Sequence, residues 1–120
     1  MDNAIGFPKP EKRKKQDKVG EWAKVRDNEI IPQFKVWGIY VCEIQLDGCR
    51  KFIYLGFAHT KKRRDINTPE DLRMVVLACD FCHHIVEYFC VQKTGKTMQA
   101  FLEGIIEKRM ERLRLNGVIQ

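Results

Sequence analysis

The sequence predicts an α+β fold organised around metal-binding cysteines. Two cysteine pairs, Cys42 with Cys49 and Cys79 with Cys82, lie about thirty residues apart in a chain of 120 residues. Two such pairs are typical of a four-thiolate zinc site. Stretches rich in β-branched and aromatic residues surround the first pair, and helical periodicity marks both ends of the chain. We therefore expect a small sheet and several helices tied together by one zinc ion.

The composition bears on location and partners. No run of about eighteen apolar residues is present, so we expect no membrane span. No apolar segment follows the charged N-terminus, so we expect no secretory signal and a cytoplasmic location. In such a compartment the five cysteines should be reduced, and paired thiols then hold metal more often than they form disulfides. The net charge of +6 favours polyanionic partners such as nucleic acid.

The chain length predicts one domain, which we expect to span residues 19–120. Residues 1–18 contain the basic run Lys9 to Lys18 and are predicted to form a flexible arm. The arm is either a solvated tail or an extension that contacts phosphates. From Val19 to Ile31, apolar residues recur at near-helical spacing, and Pro32 is expected to end that helix.

A β-hairpin is predicted to carry the first cysteine pair. Phe34 to Ile44 is rich in β-branched and aromatic residues and predicts a strand, while Asp47-Gly48 is a turn signal. Lys51 to Ala58 predicts the second strand, so the hairpin would run from Cys42 to His59. The C-x6-C spacing of this pair is looser than the usual two to four residues and is weak evidence for zinc by itself.

The segment after His59 combines a basic run with a helix start. Four consecutive cations occupy Lys61 to Arg64. Thr68 is a suitable helix cap, and Pro69 suits the first helical position. The apolar stretch Leu72 to Ala78 then leads into Cys79.

Two helices are predicted after the second cysteine pair. The first covers His83 to Val91, on which His83 and Glu87 share a face because they lie four residues apart. The second covers 96–116, carries an apolar stripe from Met98 to Leu113 and ends at Asn116-Gly117. The stripe is expected to pack in the core, and the alternative is a homodimer seam.

These motifs together resemble the HNH (His-Asn-His) endonucleases, the ββα-metal nucleases, and among them the zinc-knuckle type of phages and prophages. The resemblance is carried by CE-x4-GC, a strand that ends in His, a basic loop and DL-x6-C-x2-CH, and it covers about Trp22 to Phe89. It implies a ββα-metal core over 35–91, flanked by an N-terminal helix and the long C-terminal helix. The cell would then be bacterial or phage-infected.

The resemblance also implies a role for each matching residue. His59 stands where the family places its general base, and Asp71 stands where its middle Asn usually lies, as a supporting residue. His83 and Glu87 would hold a catalytic divalent cation, Mg²⁺, Mn²⁺ or another. Structural zinc would be held by Cys42, Cys49, Cys79 and Cys82. The DNA phosphates would be contacted by Lys61, Lys62, Arg63 and Arg64.

The sequence departs from the family at three of these positions. Ala58 replaces a usual metal ligand, Asp71 replaces Asn, and Glu87 replaces His or Asn. A carboxylate suits Mg²⁺ or Mn²⁺ at least as well as imidazole does, so Glu87 is compatible with the chemistry. Nothing in the sequence obviously compensates Ala58, although Asp65 or Asp80 would be candidates to reach the site.

The predicted activity is metal-dependent, largely sequence-nonspecific hydrolysis of DNA, with His59 as the base. One alternative is a noncatalytic zinc module of the same fold that binds nucleic acid or a protein. A weaker alternative is a zinc ribbon unrelated to nucleases. Single residues have plainer interpretations as well: His59 as an exposed loop histidine, Glu87 as a surface carboxylate, His83 as a zinc ligand in place of Cys49, and Lys61 to Arg64 as a solvated loop.

Overall fold

The computed structural model describes residues 19–120, and the predicted basic arm at 1–18 lies outside them. The described chain is a mixture of helices and one two-stranded antiparallel sheet, which confirms the α+β class. No helix in residues 19–120 combines the length and the apolar character needed to cross a membrane. In chain order the elements are a helix α1 over 19–37, β1 (Gly56–His59), a 3₁₀ turn (Arg63–Asp65), α2 (Pro69–Arg73), β2 (Val75–Ala78), α3 (Asp80–Tyr88), α4 (Cys90–Thr94) and α5 (Met98–Leu115).

Helix α1 does not end at Pro32, so that prediction was wrong. A π-helical segment at Arg26–Ile30 precedes an α-helical segment at Ile31–Trp37, and Ile31 donates its N–H to the carbonyl of Arg26, five residues back. Proline has no N–H, and its ring collides with the carbonyl four residues back in a regular helix. The wider π turn just before Pro32 relieves both problems.

The predicted hairpin from Cys42 to His59 is also wrong. The start of its first strand, Phe34 to Trp37, is helical, and residues 39–55 have no regular secondary structure. Its second strand is shortened to β1, which pairs antiparallel with β2 through Gly56↔Ala78 and His59↔Val75. Phe34 lies four residues after Ile30, and both are buried on one face of α1, so burial on a helix outweighs strand propensity here.

The small sheet separates two clusters of buried side chains. Successive residues of a strand point to opposite faces, so Ala58 and Val76 face one cluster while Phe57 and Val75 face the other. The first cluster contains the cysteines and packs on α3 and α5. The second packs on α1. The sheet therefore connects the cysteine-bearing half of the fold to the N-terminal helix.

The helix start predicted at Thr68 is confirmed. Thr68 Oγ1 accepts a hydrogen bond from the N–H of Asp71, and the Asp71 carboxylate accepts one from the N–H of Thr68, which together form a capping box at α2. The helix predicted from His83 instead begins at Asp80 and breaks at Phe89. Helix α5 ends at Leu115 with Asn116 as its cap, close to the prediction.

A buried ion pair that the sequence did not reveal joins three parts of the fold. Arg109 of α5 donates from Nε and Nη2 to the Glu43 carboxylate at 2.8 and 2.9 Å, and the two side chains are only 5% and 7% exposed. Glu43 also exchanges hydrogen bonds with the backbone of Leu77, and Arg109 donates to the carbonyl of Val75 at 2.7 Å. The pair therefore attaches the cysteine loop and α5 to the outer edge of β2.

Candidate metal centre and active-site cleft

The two cysteine pairs, separate in the sequence, meet in the structure. The Sγ atoms of Cys42, Cys49, Cys79 and Cys82 all lie within 4.8 Å of one another, and those of Cys49 and Cys79 are 3.9 Å apart. Four sulfurs at about 2.3 Å from a tetrahedral zinc ion are about 3.8 Å apart, so the cluster fits such an ion. The cluster is placed to hold a metal ion, in agreement with a structural zinc site.

Local backbone features bring these sulfurs together. Cys49 lies at the end of a tight turn, in which its N–H donates to the Leu46 carbonyl at 2.8 Å and Gly48 has a φ of 89°. Cys42 is placed beside it by donating its N–H to the Lys51 carbonyl. On the other side, Cys79 is the N-cap of α3, so Cys82 lies one turn into the helix. Cys49 completes the cluster, which removes the alternative that His83 takes its place.

Backbone N–H groups point at two of the sulfurs. Cys79 Sγ accepts from the N–H of Arg50 at 3.3 Å and of Cys82 at 3.4 Å, and Cys49 Sγ accepts from the N–H of Lys51 at 3.3 Å. Burial raises the pKa of Cys49 and of Cys82, whereas at Cys79 the N–H donors outweigh burial and lower the pKa to about 7. Metal binding requires thiolates, which these N–H donors stabilise.

Cys90, the fifth cysteine, is buried outside the cluster. Its Sγ lies 3.5 Å from the Thr94 hydroxyl on α4. Cys90 is therefore not one of the four cysteines placed to hold a metal ion.

A cleft of about 500 Å³ lies where β1 and α3 meet α1 and the basic loop. His59 enters it from the end of β1, and His83 and Glu87 enter from α3, one helical turn apart. Its lining also includes three cations of the basic loop, Lys61, Lys62 and Arg63, but not Arg64. The remaining lining residues are apolar or aromatic: Val19, Trp22, Phe57, Ala58, Ile66, Leu72, Tyr88 and Met98.

His59 is partly buried in this cleft rather than exposed on a loop. Its imidazole packs against the indole of Trp22, and its Nε2 is buried without a hydrogen-bond partner among residues 19–120. Burial, followed by the positive charges of His83 and Arg63, lowers the pKa of His59 to about 4. The imidazole is therefore neutral at pH 7 and has a free ring nitrogen.

The carboxylates flanking the cleft differ in their surroundings. Glu87 is exposed at the cleft. Asp71 is engaged elsewhere: it accepts from Lys61 Nζ at 3.0 Å and from the N–H groups of Asn67 and Thr68 at 2.9 and 3.1 Å. These donors, the Asn67 N–H first, lower the pKa of Asp71 to about 2. Asp71 thus fixes the basic loop rather than contacting the cleft.

The substitutes considered for the missing ligand at Ala58 do not enter the cleft. Asp80 pairs with Arg50 at 3.5 Å and accepts from the N–H of Phe81, and Asp65, exposed in the 3₁₀ turn, is not part of the lining. Ala58 itself is 2% exposed and belongs both to the cleft lining and to the core cluster that contains the cysteines. His84 is exposed and stacks on Tyr88 and Phe89.

Sequence reasoning did not identify Trp22 as part of this site. The near-helical spacing of Val19, Trp22 and Val25 marked a buried helix face, but no local signal indicates which strand that face covers.

Comparison with known proteins identifies no relative: no family model, curated protein or solved structure matches this chain.

Proposed function

We propose that this chain is a metal-dependent endonuclease that hydrolyses DNA phosphodiester bonds, with His59 as general base and one divalent cation on His83 and Glu87. The observation that carries the proposal is the cleft in which these three side chains meet three loop cations. The order of elements supports it as well: two antiparallel strands are followed by a helix, with His59 on the first strand and His83 on the helix. That order is the one expected of a ββα-metal core.

His59 supplies an acceptor for the proton of the attacking water. At pH 7 the imidazole is in the neutral form that can take a proton as the water attacks phosphorus, and its pKa of about 4 makes it a weaker base than an ordinary histidine. Its Nε2 is buried with no hydrogen-bond partner in the described part of the chain, and a buried polar atom gains most from a hydrogen bond offered by water or substrate. Trp22 limits the orientations of the ring and so keeps this nitrogen in place.

An imidazole and a carboxylate one turn apart suit a hard divalent cation. Mg²⁺ commonly uses one or two protein ligands and fills its other positions with water and substrate phosphate oxygens, so Ala58 does not by itself exclude such a site. When bound, the cation would neutralise charge on the phosphate and stabilise the leaving oxygen. Lys61, Lys62 and Arg63 would hold the phosphates on either side.

Plasmid nicking tests this proposal. Zinc-loaded protein should nick supercoiled plasmid in the presence of Mg²⁺, Mn²⁺ or Ni²⁺, and His59→Ala should reduce the rate by at least about a hundred-fold. His84→Ala is the matched control, because His84 is an exposed imidazole outside the cleft lining, and it should nick at the wild-type rate. Failure of the wild type to nick, or unchanged nicking by His59→Ala, would contradict the proposal.

The second candidate function is a noncatalytic zinc module that binds nucleic acid or a protein. Ala58 favours it, because the methyl side chain at this position of the cleft lining offers no ligand atom. Metal content separates the two candidates. A nuclease should hold one tight zinc and a second, weaker ion that is lost in His83→Ala, whereas a binding module should hold the zinc alone.

A further inference from the structure

The segment Arg50–Leu55, which we call the knuckle-exit loop, exposes an unusual amount of apolar surface. It leaves the cysteine turn and leads directly into β1. Four consecutive residues are exposed, Phe52 to Leu55. The two rings are the most exposed of them, Phe52 at 69% and Tyr54 at 75%. Adjacent exposed apolar residues of this kind mark interaction sites more often than isolated ones do.

The knuckle-exit loop is held in a defined shape. Arg50 and Lys51 donate their N–H groups to the sulfurs of Cys79 and Cys49, and the Lys51 carbonyl accepts from the N–H of Cys42 at 2.8 Å. A turn closed by the Ile53 N–H and the Arg50 carbonyl, at 3.0 Å, places Lys51 and Phe52 at its tip. The cysteine cluster therefore holds the start of the loop in place through these hydrogen bonds.

The backbone of this loop is strained. Lys51 and Tyr54 have φ values of 54° and 52°, in the left-handed region that residues other than glycine rarely occupy. Strain of this kind persists where the surroundings enforce it, and it is concentrated at functional sites.

Each aromatic residue of this loop has a cation nearby, Phe52 in the sequence and Tyr54 in space. Lys51 and Phe52 share the tip of the turn, and the Arg50 guanidinium lies 5.7 Å from the ring centroid of Tyr54. Proteins that bind single-stranded nucleic acid combine aromatic rings, on which bases stack, with cations that follow the phosphates. The net charge of +6 and the three cations of the cleft favour the same polyanionic partner.

We propose that the knuckle-exit loop binds unpaired nucleotides, with Phe52 and Tyr54 stacking on bases and Arg50 and Lys51 contacting the adjacent phosphates. Resting on the proposed nuclease function, this assigns DNA with single-stranded character as the substrate class. Bases within a duplex already stack on their neighbours, so exposed protein rings find free base faces only where the strands are open.

The loop also lies close enough to the cleft for one nucleic-acid strand to contact both. Tyr54 precedes His59 by five residues, so their Cα atoms are separated by at most about 18 Å of extended chain. A nucleic-acid strand that occupies the loop can therefore extend to the cleft within a few nucleotides. Stacking at the loop would then determine which strand reaches His59.

Binding to a labelled single strand tests the inference. The zinc-loaded protein is titrated into a fluorescein-labelled oligothymidine of about 20 nucleotides, with no other divalent cation, and anisotropy is recorded. Phe52→Ala with Tyr54→Ala should raise Kd at least about ten-fold, and leucine at both positions should do the same because it lacks a ring face. Phe52→Tyr with Tyr54→Phe should retain wild-type Kd. Leu115→Ala, which truncates an apolar side chain that is 80% exposed on α5, is the matched control and should not change it.

Three results would overturn the inference: wild-type Kd in the alanine variant, wild-type Kd in the leucine variant, or an equal loss of affinity for a duplex of the same length. Retention of affinity by the leucine variant would show that apolar contact, and not ring stacking, carries the binding. Because binding is measured without the catalytic cation, it can be scored separately from nicking. If binding depends on the rings but the protein does not nick plasmid, only the nuclease proposal is contradicted. If the protein nicks plasmid but binding does not depend on the rings, only the assignment of the loop is contradicted.

Discussion

The imidazole of His59 lies edge-on to the indole of Trp22, with ring centroids 4.3 Å apart and planes inclined at 73°. The contact joins the end of β1 to the first described turns of α1. It makes the N-terminal helix one wall of the cleft, and it accounts in part for the burial that keeps His59 neutral at pH 7. The proposed base therefore depends on a helix remote from it in the sequence.

The first prediction concerns the pH dependence of stability. The pKa of His59 is about 4 in the folded protein, against about 6.5 in an unfolded chain. Between these values the unfolded chain binds a proton that the folded protein does not, so the free energy of unfolding should fall as pH drops from 6.5 to 4. Above pH 6.5 the histidine is neutral in both states, so His59 should add no pH dependence there. Because His59 is partly exposed, solvent screens part of the effect. We therefore expect the free energy of unfolding to fall by on the order of 1–2 kcal/mol, less than the pKa shift alone would give.

Urea unfolding at pH 7 and pH 5 measures this effect as a difference between proteins. His59→Gln should lose less stability over that interval than the wild type, because it removes the histidine that stays neutral when folded. His84→Gln, which changes an exposed histidine, should keep the wild-type difference. Since acid weakens thiolate–metal binding in all three proteins, only the comparison among them is informative. Identical losses in all three would refute the prediction.

The second prediction is that Gly48→Ala destabilises the cysteine turn. The backbone at Gly48 has a φ of 89°, and an added Cβ would lie 2.9 Å from the Phe81 ring. We expect a loss of about 2 kcal/mol from backbone strain and overlap, together with weaker zinc binding. Gly104→Ala is the control, because Gly104 is inside α5 with nothing within 4 Å of the added atom, and it should stabilise by up to about 1 kcal/mol. Thermal melts and zinc titrations compare the two variants.

The third prediction concerns the buried ion pair. Arg109→Met leaves the Glu43 carboxylate buried without its cation and should cost about 3–5 kcal/mol. Adding Glu43→Gln should recover part of the loss, since the amide oxygen can still accept from Leu77. Arg73→Met breaks an ion pair of similar length with Glu29 on the surface and should cost less than about 1 kcal/mol. Equal costs for the two arginines in urea unfolding would show that burial does not govern the difference.

The fourth prediction is that metal binding and folding are coupled through the four cysteines. Cys79→Ser should abolish stoichiometric zinc binding and lower Tm, because it removes one of the four thiolates. That thiolate is supported by the N–H groups of Arg50 and Cys82 and lies against the sulfur of Cys49. Cys90→Ser should retain one zinc per chain, since Cys90 lies outside the cluster. Elemental analysis with parallel thermal melts gives both quantities. Zinc retention in Cys79→Ser would remove that residue from the ligand set.

Three features were predictable because they depend on residue type and short-range spacing. The capping box at Thr68 is formed by residues within one turn, so the residue types alone indicate it. The long helix α5 is marked by an apolar stripe repeated over several turns. The cysteine cluster was predicted from composition and spacing, since reduced, paired thiols have few other roles.

The hairpin failed because its residues fit two structures equally well. The apolar, β-branched residues of Phe34–Trp37 satisfy a strand pattern, yet they extend α1 by placing Phe34 next to Ile30 in the second cluster. β1 pairs with a strand that begins about twenty residues later in the chain. Short apolar runs do not specify their partners, which are chosen by the packing they complete.

The amino-acid sequence by itself determined the α+β class, the four cysteines placed to hold a metal ion, and the presence of helices at His83 and along α5, because these depend on residue type and short-range spacing. Tertiary structure decided that His59, Trp22, His83 and Glu87 share one cleft, and that Arg109 pairs with Glu43 at the outer edge of β2. Such contacts join residues far apart along the chain, and their free energy depends on burial and on what each side chain displaces, neither of which local spacing encodes.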